Sequence, residues 1–313
     1  MKQLFAVVGA LALAVAGCGG DGKGDTGLGG LIRSVRVVTE AGDFEGAVDA
    51  TLSPAGDEVF FTARSSGGPG VFRVPASGGP ATAVATGAPF RSPVGIAMAS
   101  DGQRVYVADT EADVILSAAV AGGPPAPVPG TEGTRPRGLE VVDEGGADVV
   151  YFTGRDRADG APGVFSMAAT GGPAPRVLAR GAPLTSTDAV TVTRTGEAYV
   201  TDRGGAHDGR TGAVYRISGG STEKIADLRA PVLAGVALTL DESVLLVSAL
   251  SGRGTDQVLV VDLASRRTGT FSRTIGENRA GAGLHRARNV DVFAWADFMA
   301  GADRRSRVYV LEP

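Results

Sequence analysis

Apolar positions follow different patterns along the chain. Leu4 to Ala16 is an apolar run of 13 residues behind one positive charge, Lys2. A membrane-spanning helix needs about 20 such residues, so this run reads as the core of a signal peptide. Gly19 to Gly30 carries almost no apolar side chain. Beyond it, short β-rich runs return at a regular spacing: Val59 to Ala63, Val105 to Asp109, Val150 to Gly154, Ala198 to Asp202, Leu245 to Ala249 and Phe293 to Asp297. Their last residues lie 45 to 48 positions apart. That is close to the length of one four-stranded propeller blade.

Each run sits in the same larger unit. About ten residues upstream lies another apolar strand, such as Gly95 to Ala99. The two are joined by a tight turn, such as Asp101-Gly102 or Arg194-Thr195-Gly196, whose residues accept the positive φ of hairpin turns. A polar loop follows each run, then a third strand such as Val214 to Ile217. A Gly-Gly turn usually comes next, and then a short outer strand such as Arg176 to Leu178. Val244 to Ser248 and Val258 to Val261 are apolar at every position bar Ser248, as expected of strands packed on both sides. Six such units predict an all-β chain, a six-bladed β-propeller of four-stranded antiparallel blades. The sixth unit lacks its outer strand at the C-terminus, whereas a spare strand, Arg36 to Thr39, lies at the N-terminus. The N-terminal strand is therefore expected to complete the last blade and close the ring, which removes an exposed edge. The expected blades are 43–87, 93–130, 136–181, 187–228, 233–274, and 282–313 together with 31–42.

Leu52 to Thr62 (LSPAGDEVFFT) resembles the S-P-D-G repeat of TolB-type blades. Pro93 to Asp109 resembles an NHL or gluconolactonase-type blade. The resemblance covers about residues 31–313 and implies the TolB-like six-bladed fold. It leaves function open, because this architecture hosts binders, scaffolds and hydrolases.

The sequence Val15-Ala16-Gly17-Cys18 resembles the bacterial lipobox, and Cys18 is the only cysteine in the chain. The resemblance implies that residues 1–17 are removed and that Cys18 is lipidated, with enough acyl chains to anchor stably. Residues 18–30 would then be the lipidated cysteine and its tether; seven of the twelve residues after Cys18 are glycine. As a flexible coil the tether reaches roughly 20 Å. The formal G-x-G-x-x-G at Gly22 to Gly27 follows no strand and is not a dinucleotide site. The expected location is the bacterial cell envelope, facing the periplasm or the surface. Gly19, standing where an inner-membrane retention signal often places Asp, favours the outer membrane.

Composition narrows the partners. The net charge is −4 and 20% of residues are charged, so there is no basic excess to suggest nucleic acid. Glycine (48) and proline (17) are abundant, which argues against a helical bundle. A monomer is expected. No G-x-S-x-G, H-E-x-x-H or cysteine pair announces catalysis.

The long polar loops after the second strand of each blade share one face, and such loops often carry function. Asp109, Asp202, Arg203 and His207 are the candidates there. Phasing by the repeat places Glu45, Val94, Arg137, Asp188, Ala234 and Ala282 at the central channel mouth on that face. Glu45, Arg137 and Asp188 are the candidate ligand-binding set, or an ion-pair network among themselves. The reading that follows is a membrane-anchored module binding a protein or small ligand through the loop face, with no cofactor. An alternative comes from Glu45-Gly46, which resembles the start of gluconolactonase and SMP-30-type hydrolases. That likeness implies a lactone or ester hydrolase with calcium or another divalent cation held by Glu45 and Asp188. The family's remaining Asn and Asp ligands have no counterpart, since the only asparagines are Asn278 and Asn289.

Overall fold

The computed structural model describes residues 30–204, 210–271, 283–300 and 303–312. The signal peptide, Cys18, nearly all of the tether, Ala282 and His207 lie outside the described residues. Among the described residues, twenty-four strands form six four-stranded antiparallel sheets. The chain opens with β1 (Ser34–Glu40). Blade 1 is β2 (Ala50–Leu52), β3 (Glu58–Ser65), β4 (Gly68–Pro75) and β5 (Thr82–Thr86). Blade 2 is β6 (Pro93–Met98), β7 (Arg104–Asp109), β8 (Val114–Ala119) and β9 (Ala126–Pro127). Blade 3 is β10 (Leu139–Asp143), β11 (Asp148–Arg155), β12 (Pro162–Ala168) and β13 (Arg176–Arg180). Blade 4 is β14 (Thr187–Val192), β15 (Ala198–Asp202), β16 (Gly212–Ser218) and β17 (Ser221–Leu228). Blade 5 is β18 (Val232–Leu238), β19 (Val244–Leu250), β20 (Asp256–Asp262) and β21 (Thr268–Phe271). Blade 6 is β22 (Leu284–Arg286), β23 (Phe293–Ala300) and β24 (Arg305–Glu312).

Blade 6 is completed by β1, which pairs antiparallel with β24 from Ser34↔Glu312 to Glu40↔Arg307. The six inner strands form a closed ring, each against the next, with β22 returning to β2. This is the expected six-bladed propeller with its last blade built from both ends of the chain.

The core lies between blades, which explains why the middle strands carry apolar residues on both faces. All seven residues of β19 are buried. Phe61 is fully buried and packs edge-on against Phe44 at 4.8 Å and stacked on Phe72 at 5.7 Å. Trp295, 1% exposed, lies against Tyr309 at 5.5 Å. One outer strand departs from the pattern. β9 is only two residues long, because Pro124, Pro125, Pro127 and Pro129 remove the N–H groups that a ladder needs.

The inner strands enter their sheets through a repeated device. A hydroxyl near the end of the second strand accepts the N–H of a residue at the inner strand's start. Thr62 serves Asp49 at 3.2 Å, Thr153 serves Gly138 at 2.9 Å, Thr201 serves Ala189 at 3.0 Å and Ser248 serves Gly235 at 2.7 Å. Neighbouring inner strands approach closely at these positions. A Cβ on Gly95 would overlap the carbonyl oxygen of Arg137, so glycine is required there.

Candidate functional site

Two faces follow from the strand directions. The connections from first to second strand and from third to fourth lie at one end of the channel, the turn face. The loops after the second strands and the links between blades lie on the other, the loop face.

At the loop-face mouth a cavity of about 110 Å³ is lined by Val48, Val94, Arg137, Asp188, Arg203 and Ala234, with Asp49 and His285 deeper. Asp188 is the centre of the mouth. Its Oδ1 lies 2.8 Å from the guanidinium of Arg137, and its Oδ2 accepts from Nε of Arg203. The Asp188 side chain is 6% exposed, against 45% for Arg137 and 35% for Arg203. Burial pushes the Asp188 carboxyl above the usual carboxylate range, and the charges and hydrogen bonds of the two arginines pull against that shift. Two guanidiniums on one carboxylate leave this three-residue group with one surplus positive charge and with N–H donors beyond those the carboxylate takes.

Arg137 and Asp188 therefore meet, as the repeat phasing placed them. Glu45 does not join them, which corrects the expected triad. The register Ala50↔Phe61 and Ile96↔Val107 puts Val48, not Glu45, level with Val94. Glu45 stands three residues too early. It forms an isolated backbone bridge with Arg64 and lies in a separate rim cavity with Arg64, Phe298 and Arg305. The metal set implied by the hydrolase likeness is thereby broken: its two carboxylates sit apart, and both oxygens of Asp188 are taken by arginines. Among the described residues no group of three or more His, Cys, Asp or Glu could hold a metal ion.

Asp109 and Asp202 are placed on the loop face but point inward, and both are fully buried. The Asp109 carboxylate accepts the N–H groups of Arg91 (2.7 Å), Ser92 (2.9 Å) and Ala112 (2.9 Å). Asp202 likewise accepts from Thr185 (2.7 Å), Ser186 (2.9 Å) and Gly204 (2.9 Å). Each clamps the link from the previous blade onto the end of the second strand. This corrects their expected place among the ligand-facing charges of the loop face: a carboxylate whose lone pairs are filled by backbone amides has little left for a ligand.

Asp49 and His285, from the neighbouring blades 1 and 6, line the same cavity. His285 Nε2 lies 3.2 Å from Asp49 Oδ2, which also accepts the N–H of Ile96 at 3.0 Å. Burial pulls the imidazole pKa down. The charge and hydrogen bond of Asp49, with the charge of Glu140, outweigh this and hold it above the ordinary histidine value. No motif in the sequence marks either residue or pairs the two.

No motif in the sequence marks the other end of the channel. A cavity of about 500 Å³ opens at the centre of the turn face and takes residues from all six blades, among them Pro54, Met98, Glu140, Arg194, Glu242, Arg286 and Arg288. Arg288 of blade 6 reaches across it to donate to the carbonyl of Val141 in blade 3 at 2.9 Å. Arg194 of blade 4 donates its N–H (2.8 Å) and Nε (3.2 Å) to Glu242 of blade 5.

No protein-family model matches the chain, and no curated protein matches it in sequence. Solved structures do. A nidogen–laminin complex aligns at 18% identity and a TM-score of 0.60, over 76% of this chain and 84% of the other. TolB from Acinetobacter baumannii aligns at 15% identity and 0.54, over 88% of this chain and 65% of that one. A candidate TolB from Agrobacterium tumefaciens aligns at 14% identity and 0.62, over 86% and 91%. At these identities the likeness is one of fold alone: a six-bladed β-propeller similar to those of the TolB structures.

Proposed function

We propose that the chain is a binding module of the bacterial cell envelope, anchored to a membrane through lipid on Cys18, that captures an anionic group at its loop-face mouth. The anchor rests on the apolar run, the cysteine and the glycine-rich tether of the sequence. Strand β1 supports the resulting orientation. Ser34 pairs with Glu312 at the turn-face end of the blade, so the tether leaves from the turn face and the loop face looks away from the membrane. With Gly19 after the cysteine, the outer membrane is the favoured one.

One observation carries the ligand class: the buried Asp188 holds two partly exposed arginines at the mouth, and each guanidinium has more N–H donors than Asp188 takes. Arginine pairs of this kind receive carboxylates in bidentate fashion, and partial burial strengthens the attraction. A protein C-terminus, an acidic side chain or a small carboxylate all present the required chemistry. The fold similarity to TolB structures supports a binding propeller as the framework.

The test is fluorescence polarisation of the full chain with short acidic peptides carrying either a free or an amidated C-terminus. The free carboxylate is expected to bind more tightly, with affinity falling as salt rises. Arg137→Gln, which leaves Arg203 on Asp188, is expected to weaken binding about tenfold at unchanged melting temperature. Equal affinity for both peptides, or for wild type and variant, defeats the reading.

A further inference from the structure

The turn-face cavity is walled by side chains from six blades, and every turn that rims it is described. Its charged groups balance: Glu140, Asp143 and Glu242 against Arg194, Arg286 and Arg288. Some are already satisfied. Arg286 donates to the carbonyls of Leu238, Ala287, Arg288 and Val290, and Glu140 accepts from Val141 and Thr191. Those two are framework.

The rest hold a defined geometry with capacity to spare. Asp143 uses Oδ1 for the N–H of Gly146, and Glu242 uses Oε1 for Arg194. Each keeps a second carboxylate oxygen for another donor. Arg288 uses one terminal nitrogen on Val141 and keeps further N–H donors. Glu242 is also held with φ +58°, a left-handed conformation that a non-glycine residue rarely adopts. Acceptors and donors thus alternate around a rim without net charge.

This pattern selects against ions. An anion meets the open oxygens of Asp143 and Glu242, and a cation meets Arg194 and Arg288. A hydroxyl group suits both, since it donates to a carboxylate while accepting from a guanidinium. Pro54, Leu52, Met98 and Leu238 supply apolar wall between the polar groups, matching the C–H faces of a sugar ring. A volume of about 500 Å³ lies within the range of small-molecule sites. We propose that the turn-face cavity is a second, independent binding site, and that it takes an uncharged saccharide of one or two rings.

The test is titration calorimetry of the full chain, kept in a polyoxyethylene detergent that carries no sugar, against maltose, cellobiose and N,N′-diacetylchitobiose. At least one is expected to bind. Asn289→Ala, an exposed rim position, is expected to weaken that binding at unchanged melting temperature, and Asp143→Ala with Arg288→Met to weaken it at least tenfold. Arg137→Gln on the opposite face is expected to leave it unaltered, so this site and the loop-face mouth stand or fall separately. No heat with any of the three sugars overturns the proposal. So does full retention of binding in a folded Asp143→Ala/Arg288→Met variant, or in Asn289→Ala alone if the double variant does not fold.

Discussion

His285 Nε2 lies 3.2 Å from Oδ2 of Asp49, although 236 residues of chain separate the two. The contact joins the inner strands of blades 6 and 1, and through the Ile96 N–H it reaches blade 2. It lies in the channel wall at the loop-face cavity. The position is crowded: a Cβ on Gly283 would overlap the Asp49 carboxylate.

This pair sets a pH dependence. The His285 pKa is raised in the folded state, because Asp49 and Glu140 outweigh the opposing effect of burial. Its contribution to stability is therefore fully present below the unfolded histidine value of about 6.5 and is lost as pH rises through the higher folded value. Asp49→Asn is expected to lower the imidazole pKa and flatten the stability profile on the alkaline side of 6.5. NMR titration of the two histidines, one of them His207, reads the shift directly; an unmoved His285 contradicts it.

A second pH effect comes from Asp256 and Asp297, two buried carboxyl groups within hydrogen-bonding reach between blades 5 and 6. Burial, then the charge and hydrogen bond of Asp297, push Asp256 up to about 9. The folded state keeps this proton where the unfolded chain, with a carboxylate near 3.9, has lost it. Stability from this source is full below about pH 4 and drains away as pH climbs toward 9. Asp256→Asn keeps a permanent donor facing Asp297. The variant is expected to outlast wild type in thermal melts at pH 8, with the gap shrinking toward pH 5. A gap independent of pH counts against the shared proton.

Asp109 distinguishes clamp from ligand contact. Asp109→Ala strips the acceptor from three backbone N–H groups, each costing on the order of 1 kcal/mol or more when left unpaired and buried. A loss of about 2–4 kcal/mol in denaturant unfolding is expected, with faster hydrogen exchange at Arg91 and Ser92. Wild-type stability with impaired binding would restore the surface role that sequence reading assigned.

Ring closure is open to deletion. Removing residues 31–42 takes away β1 together with the buried side chains of Ile32 and Val38, both 4% exposed in the intact protein, and exposes the edge of β24. The melting temperature is expected to fall by roughly 5 °C or more, with a new tendency to associate through the free edge. An unchanged melt and a monomeric product argue that the sixth blade closes without it.

Much of this architecture is legible in the residues alone, because a propeller repeats one solution six times. Strand, turn, strand and loop must recur at one spacing, so Val105 to Asp109 announces its five counterparts. A missing outer strand at one end and a spare one at the other leave a single way to close the ring. The same phasing carried Arg137 and Asp188 to one mouth. Phasing fails where the local pattern breaks: the repeat spacing puts Glu45 at the blade 1 mouth, whereas the Ala50↔Phe61 register makes Val48 the mouth residue. Burial direction is not written in a charge, so Asp109 and Asp202 read as loop-face candidates until their amide partners are in place. The turn-face cavity depends on the radius left by six inner strands and on long side chains such as Arg288 crossing between opposite blades. No segment of sequence contains that distance; only the closed ring sets it.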